Sequence, residues 1–280
     1  MRPKQWAKSV FIFTALIFDR KLLDQSAFLH TLAGAVLFSL VASAVYILND
    51  IADLEADKNH PKKKQRPIAS GKLPLPAAWV AGISLILISL SLAYLLSPAF
   101  CLICTIYLSL NLLYSSWLKH IPLIDVLILA SFYVLRVQAG VNLIEVKRFS
   151  PWLYVVTSLF ALFIGLGKRR AEMVLQIINS DESRPVLDGY SIGLLDQLIN
   201  IVSGTTIMAY SLYTFSAPNL PENYSMMLTI PFVLYGIFRY LFLIQIGEGG
   251  APEDIALTDR PLQASILLWS IVILLIFYLY

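Results

Sequence analysis

Tyr46-Ile47-Leu48-Asn49-Asp50-Ile51-Ala52-Asp53-Leu54-Glu55-Ala56-Asp57 closes a long apolar run, and its reading decides how the 280-residue chain is understood. The run ahead of it, residues 26 to 48, is long enough to cross a hydrocarbon core, which takes about 20 residues. At about 100° per residue, Asn49, Asp50, Asp53 and Asp57 share one helix face and Glu55 points to the opposite side. Three carboxylates this close repel one another, and beside a membrane that cost is tolerable when a cation neutralises them. Oxygen ligands select a hard ion. Magnesium commonly takes one or two carboxylates and completes its shell with water and substrate phosphates. The bland alternative is a solvated helix end carrying ordinary charges.

The next stretch argues against the alternative. Lys58, His60, Pro61, Lys62, Lys63, Lys64, Arg66, Pro67, Ser70 and Gly71 place cations on a loop shaped by proline and glycine directly after the carboxylates. Carboxylates for a metal beside cations for phosphate suit a diphosphate. Taken singly, each lysine could instead be a topology signal drawn to anionic lipid.

Composition extends the membrane reading to the whole chain. Hydrophobic residues make up 58% and charged residues 14%, against roughly 25% charged in a soluble domain. Apolar runs predict nine spans at about 6–20, 26–48, 76–96, 99–117, 122–141, 150–168, 191–213, 225–245 and 262–280. The expected fold is all-α: one transmembrane domain over residues 1–280, with loops 49–75 and 169–190 capping the active site. Asp19-Arg20-Lys21 stand after the first apolar run where a signal peptide would have a small-residue cleavage site, so a retained, short first helix is expected. With the N-terminus inside, 15 of the 21 basic residues fall on the cytoplasmic side. Arg20, Lys21, Lys147 and Arg148 fall outside, and Arg136 and Arg239 lie within spans. The positive-inside rule favours this orientation in the cell (inner) membrane.

The remaining reactive residues divide sharply. Cys101 and Cys104 lie together in an apolar run and His30, His60 and His120 are scattered, so neither redox nor zinc chemistry is expected. Arg136 and Arg239 are expensive inside apolar spans, and each calls for a carboxylate or an anionic ligand. Lys168-Arg169-Arg170 could anchor a helix at the inner surface, with Glu172 one turn from Lys168 to pair part of that charge.

The Asn49-Asp50-x-x-Asp53-x-x-x-Asp57 pattern resembles the first signature of the UbiA superfamily of intramembrane prenyltransferases. Within that superfamily the chain is most similar to the decaprenyl-phosphate phosphoribosyltransferase branch. The resemblance runs through Arg2-Pro3-Lys4-Gln5-Trp6-x-Lys8, His60-Pro61-x-Lys63-x-x-Arg66-Pro67-Ile68-x-x-Gly71, Tyr114-Ser115-x-x-Leu118-Lys119, Asp125, Leu135-Arg136-x-x-x-Gly140 and Gly167-Lys168-Arg169-x-x-Glu172. Aromatic-acceptor members of the superfamily carry a close D-x-x-x-D pair between helices six and seven. Here Asp188 and Asp196 are eight residues apart, which turns the expectation away from quinone-type chemistry.

The resemblance implies transfer of 5-phosphoribose from phosphoribosyl diphosphate to a polyprenyl phosphate. It implies Mg2+ held by Asp50, Asp53 and Asp57, with Asn49 orienting ligands or water. Lys63 and Arg66 would grip donor phosphates, and Lys168, Arg169 and Tyr190 donor or lipid phosphate. Lys8, Tyr114, Lys119, Asp125, Arg136 and Glu172 complete the expected substrate-binding set. The lipid bilayer is the other expected partner. No nucleic acid is expected, and homo-oligomerisation is left open. Two rivals stand beside this reading: a prenyltransferase moving an isoprenoid from its diphosphate to an aromatic acceptor, and a transporter or lipid-binding protein without catalysis.

Overall fold

The computed structural model describes residues 3–59, 63–146, 150–179, 185–218, 220–246, 255 and 258–279. Arg2, His60, Pro61, Lys62, Lys147 and Arg148, named above, lie outside the described residues, as do the side chains of Pro3, Lys4 and Gln5. The described residues are helical and contain no strand.

A 3-10 segment, Pro3–Phe13, leads into α1 (Thr14–Phe18). There follow α2 (Gln25–Ala52), α3 (Leu54–Asn59), α4 (Leu75–Leu96), α5 (Pro98–Ser116), α6 (Ile124–Val141), α7 (Pro151–Asn179), α8 (Ile192–Ser216), α9 (Ile230–Gln245) and α10 (Arg260–Tyr278). Eight of the described helices have the length and apolar composition to cross a membrane, and the ninth expected span is the shorter apolar segment Trp6–Phe18. Helix starts follow local chemistry. Asp24 accepts from the amides of Ser26 and Ala27 at the head of α2, and Ser97, Ser191 and Asp259 cap α5, α8 and α10.

Two boundaries depart from the expectation. The C-terminal end of the second span is interrupted at Asp53, which terminates α2 before α3 restarts. The i→i−4 bonds nevertheless continue, from Asp53 N to Asn49 O at 2.9 Å and from Asp57 N to Asp53 O at 2.8 Å. At the sixth span, α7 runs on to Asn179 instead of ending near 168. The first half of the expected 169–190 cap is therefore helix, because the charges that looked like a helix end are satisfied by partners along it.

The chain forms two compact units. The first comprises residues 1–17, 21–117 and 135–146, and the second 18–20, 118–134 and 147–280. In the first unit α2 packs on α4, α5 and the 3-10 segment. Trp6 donates to Ser43 Oγ at 3.1 Å, and the Ser9 and Ser39 hydroxyls lie 2.7 Å apart. Gly140 is glycine for a packing reason: a Cβ there would collide with the backbone carbonyl of Ile12. The second unit is built on α7 against α8 and α9 against α10. Its core joins Val126, Phe163, Leu166, Leu195, Ile199, Ile237 and Leu243.

Candidate active site

In the first unit the basic loop folds back onto the aspartate segment. A turn through Arg66–Gly71 is closed by bonds from Ser70 N to Arg66 O (2.8 Å) and Leu73 N to Pro67 O (2.9 Å), with Gly71 at φ 76°, a backbone state that glycine adopts without a Cβ penalty. Ile68 from this turn packs with Ile47 and Ala78, and Ile51, Leu54 and Leu73 lie against them. The apolar anchor sets the guanidinium. Nη1 of Arg66 donates to Asp50 Oδ1 at 3.1 Å and to Asp57 Oδ2 at 2.5 Å, and Asp57 is buried. Glu55 faces elsewhere, exposed and paired with Lys58 at 2.8 Å.

Two carboxylate oxygens thus face one point that a cation already occupies, the donor set expected of a magnesium site that takes two carboxylates and leaves the rest of the shell to water and phosphate. Among the described residues no three His, Cys, Asp or Glu side chains gather closely enough to hold a metal ion. Asp50 and Asp57 share the Arg66 guanidinium, and Asp53 stands at the helix break between them. Asn49 is held from another helix: Ser115 Oγ on α5 donates to its Oδ1 at 2.7 Å. Ser115 carries no expected role in the sequence; its one signal there is a hydroxyl at the C-terminal end of the apolar helix α5.

Deeper in the same unit, Arg136 is buried, with Nη2 donating to Tyr107 Oη at 3.0 Å. Its guanidinium lies 5.3 Å from the ring centre of Phe38 and 5.0 Å from that of Tyr107, close enough for cation–π attraction. Lys8, on the 3-10 segment, and Lys63 and Tyr114 are half-buried.

The second unit carries its own polar cluster. Arg169, 1% exposed, donates Nε to Asp125 Oδ2 at 2.6 Å and Nη1 to Glu172 Oε2 at 2.5 Å. Tyr190 Oη donates to Asp125 Oδ1 at 2.7 Å and accepts from Leu123 N at 2.7 Å. Leu123 has φ 67°, a left-handed state unusual for a branched side chain. Burial, and then the bond to Asp125, push the Tyr190 hydroxyl well above its ordinary pKa. Lys119 lies on the short 3-10 turn Leu118–His120 at the start of this loop, half-buried, and Lys168 precedes Arg169 on α7. Of the residues expected to bind phosphate, Arg169 and Tyr190 have these atoms committed to protein partners.

Arg170 and Arg239 form structural pairs. Arg170 Nε donates to Asp196 at 2.5 Å and Nη1 to the carbonyl of Ile244 at 2.8 Å, while Asp188 sits on the turn Pro185–Gly189. Arg239, expected to need a carboxylate, has one: Nη2 meets Asp259 Oδ2 at 2.8 Å, and the guanidinium holds Asp259 below the usual carboxylate range.

Eight helices among the described residues are long and apolar enough to span a bilayer, which defines a multi-pass membrane protein. The chain belongs to the UbiA prenyltransferase family, whose model matches residues 9–271. It is a transferase of that superfamily. Its sequence is 32% identical over 286 residues to a decaprenyl-phosphate phosphoribosyltransferase of Corynebacterium glutamicum, covering 100% of this chain and 86% of the relative. It is 33% identical over 273 residues to the enzyme of that name from Mycobacterium tuberculosis, covering 96% and 90%. Its fold matches that of a UbiA homolog from Archaeoglobus fulgidus bound to GPP and Mg2+, with a TM-score of 0.74 at 17% identity, over 97% of this chain and 94% of the other.

Proposed function

We propose that the chain transfers 5-phosphoribose from phosphoribosyl diphosphate to a polyprenyl phosphate, releasing diphosphate, at the cytoplasmic face of the cell membrane. The observation that carries this reading is the near full-length likeness to relatives named as decaprenyl-phosphate phosphoribosyltransferases. The engagement of Asp196 by Arg170 agrees with it, because the second of the two widely spaced aspartates lies on α8 and serves an ion pair.

Asp50, Asp53 and Asp57 would hold magnesium, which supplies Lewis-acid neutralisation of the leaving diphosphate when bound. Arg66, with one nitrogen on two carboxylates, is set to trade a carboxylate for a donor phosphate oxygen, and Lys63 on the preceding turn adds a second cation. The acceptor is a phosphate already ionised at neutral pH, so the reaction needs no strong general base. Lys8, Lys119 and Lys168 are the remaining cations proposed to meet substrate phosphates. Arg136 is proposed as the deeper contact of this set, and Tyr114 as its aromatic edge. Asp125, Arg169, Glu172 and Tyr190 serve by holding the loop at Lys119 in place.

Incubation of purified protein with radiolabelled phosphoribosyl diphosphate, polyprenyl phosphate and Mg2+ is expected to give a labelled lipid that chelator abolishes. Turnover of a prenyl diphosphate on an aromatic acceptor, with no labelled lipid, would overturn the reading in favour of ordinary prenyl transfer.

A further inference from the structure

The residue left without a role beside the aspartate segment is Ser115. Its hydroxyl donates to the Asn49 amide oxygen across 66 residues of sequence, from α5 to α2. An asparagine side chain has a broad, two-fold terminal torsion, and its two ends carry opposite hydrogen-bonding character. Without a partner it samples both orientations. A hydroxyl donating to Oδ1 selects one: the oxygen turns toward α5 and the two amide hydrogens turn away from it.

The geometry around Ser115 makes the selection firm. Tyr107, Asn111 and Ser115 recur every four residues on α5 and so lie along one helix face. Tyr107 and Asn111 are buried, Asn111 donating back to the Tyr107 carbonyl at 2.8 Å. At Tyr107 the register of α5 against α2 is pinned by the ring of Phe38, with centroids 4.6 Å apart, while Arg136 of α6 holds the Tyr107 hydroxyl. Two turns further along the same face, Ser115 meets Asn49. The same two helices thus touch at two levels, and the second contact falls on the residue that begins the Asn49–Asp57 segment. Asn49 is itself tied into that segment, its carbonyl accepting from Asp53 N.

We propose that Ser115 is a positioning residue for the diphosphate site: it fixes the amide of Asn49 in the one orientation that serves the Mg2+-diphosphate group. The inference rests on the reading of the Asn49–Asp57 segment as the diphosphate site. Loss of one neutral hydrogen bond that orients a side chain corresponds to about a five- to tenfold weakening. The weakening falls on diphosphate recognition, with the polyprenyl phosphate KM unchanged.

The test is a double-mutant cycle in the full-length protein, read in two ways. The first readout is the KM for phosphoribosyl diphosphate against kcat. The second is the concentration of inorganic diphosphate, at fixed Mg2+, that half-maximally raises the thermal unfolding temperature. Ser115→Ala is expected to weaken both donor KM and diphosphate protection about five- to tenfold, and Ser115→Thr to restore them. In the Asn49→Ala background, Ser115→Ala is expected to add nothing, because the group it orients is gone. Equal weakening of donor and acceptor KM, additive effects in the cycle, or an Ala variant that binds diphosphate like the parent would each overturn the assignment. Failure of the phosphoribosyl reading itself shows up separately, as diphosphate protection and a normal cycle in a protein that makes no labelled lipid.

Discussion

Arg169 on α7 and Asp125 on α6 form an ion pair of 2.6 Å between side chains that are 2% and 0% exposed. Taking either partner away strands a charge where water cannot reach it, a loss of about 3–5 kcal/mol. Asp125→Ala and Arg169→Met are each expected to lower thermal stability in detergent by that order. The double variant Asp125→Leu/Arg169→Met should recover much of the loss, since it leaves neither of the two fully buried charges and Glu172, which loses Arg169, still reaches solvent. A double variant as unstable as the singles would show that the pair matters through its geometry alone.

Arg66 serves two carboxylates through one nitrogen. Lysine offers a point charge without the planar fork, so Arg66→Lys is expected to retain only part of the donor affinity. Arg66→Ala should raise the KM for phosphoribosyl diphosphate at least about tenfold, the loss of one charge-assisted contact. Steady-state kinetics with donor varied at saturating acceptor measures this.

Each of Asp50→Ala, Asp53→Ala and Asp57→Ala is expected to reduce turnover at least about a hundredfold, the scale of losing electrostatic stabilisation of a leaving group. Full activity in any one of them removes that carboxylate from the metal set. Titration with Mg2+ distinguishes weakened binding, which excess metal relieves, from lost chemistry, which it does not.

Tyr190 holds the left-handed turn at Leu123. Tyr190→Phe removes both bonds and is expected to destabilise by about 1–3 kcal/mol. Leu123→Gly in that background should return part of it, since glycine adopts the turn without help. The hydroxyl's pKa is raised in the folded protein, so its contribution is complete below about pH 10, where the unfolded tyrosine begins to ionise. It is lost as pH rises through the strongly alkaline range. Unfolding midpoints from pH 8 to 11 should fall less steeply in Tyr190→Phe than in the parent.

Gly140→Ala drives a methyl group into the Ile12 carbonyl. The expected cost is about 1–3 kcal/mol, the range for overpacking, and thermal unfolding of the detergent-solubilised variant measures it.

The all-α membrane fold was legible in the sequence because hydropathy is an additive property of short windows, and α4, α5 and α10 start and stop close to where apolar runs do. The end of α7 was not. Lys168-Arg169-Arg170 looks like a surface terminus until one sees that Arg169 and Arg170 find Asp125 and Asp196, 44 and 26 residues away. At the site, the shared face of Asn49, Asp50, Asp53 and Asp57 followed from helical spacing, and Arg66 from its place on the loop. That one guanidinium nitrogen joins Asp50 to Asp57 depends on the anchoring of Ile68, a long-range packing fact. Ser115 was silent for the same reason: a lone hydroxyl acquires meaning only when another helix brings an acceptor to it.

The winding of the first segment has a consequence for membrane thickness. A 3-10 helix rises about 2.0 Å per residue against about 1.5 Å in an α-helix. The 11 residues of Pro3–Phe13 and the five of Thr14–Phe18 together extend about 30 Å, which matches the depth of the hydrocarbon layer. Wound wholly as an α-helix, the same residues would fall about 6 Å short. Tighter coiling lets sixteen residues do the geometric work of twenty, and a span need not carry a full-length apolar sequence.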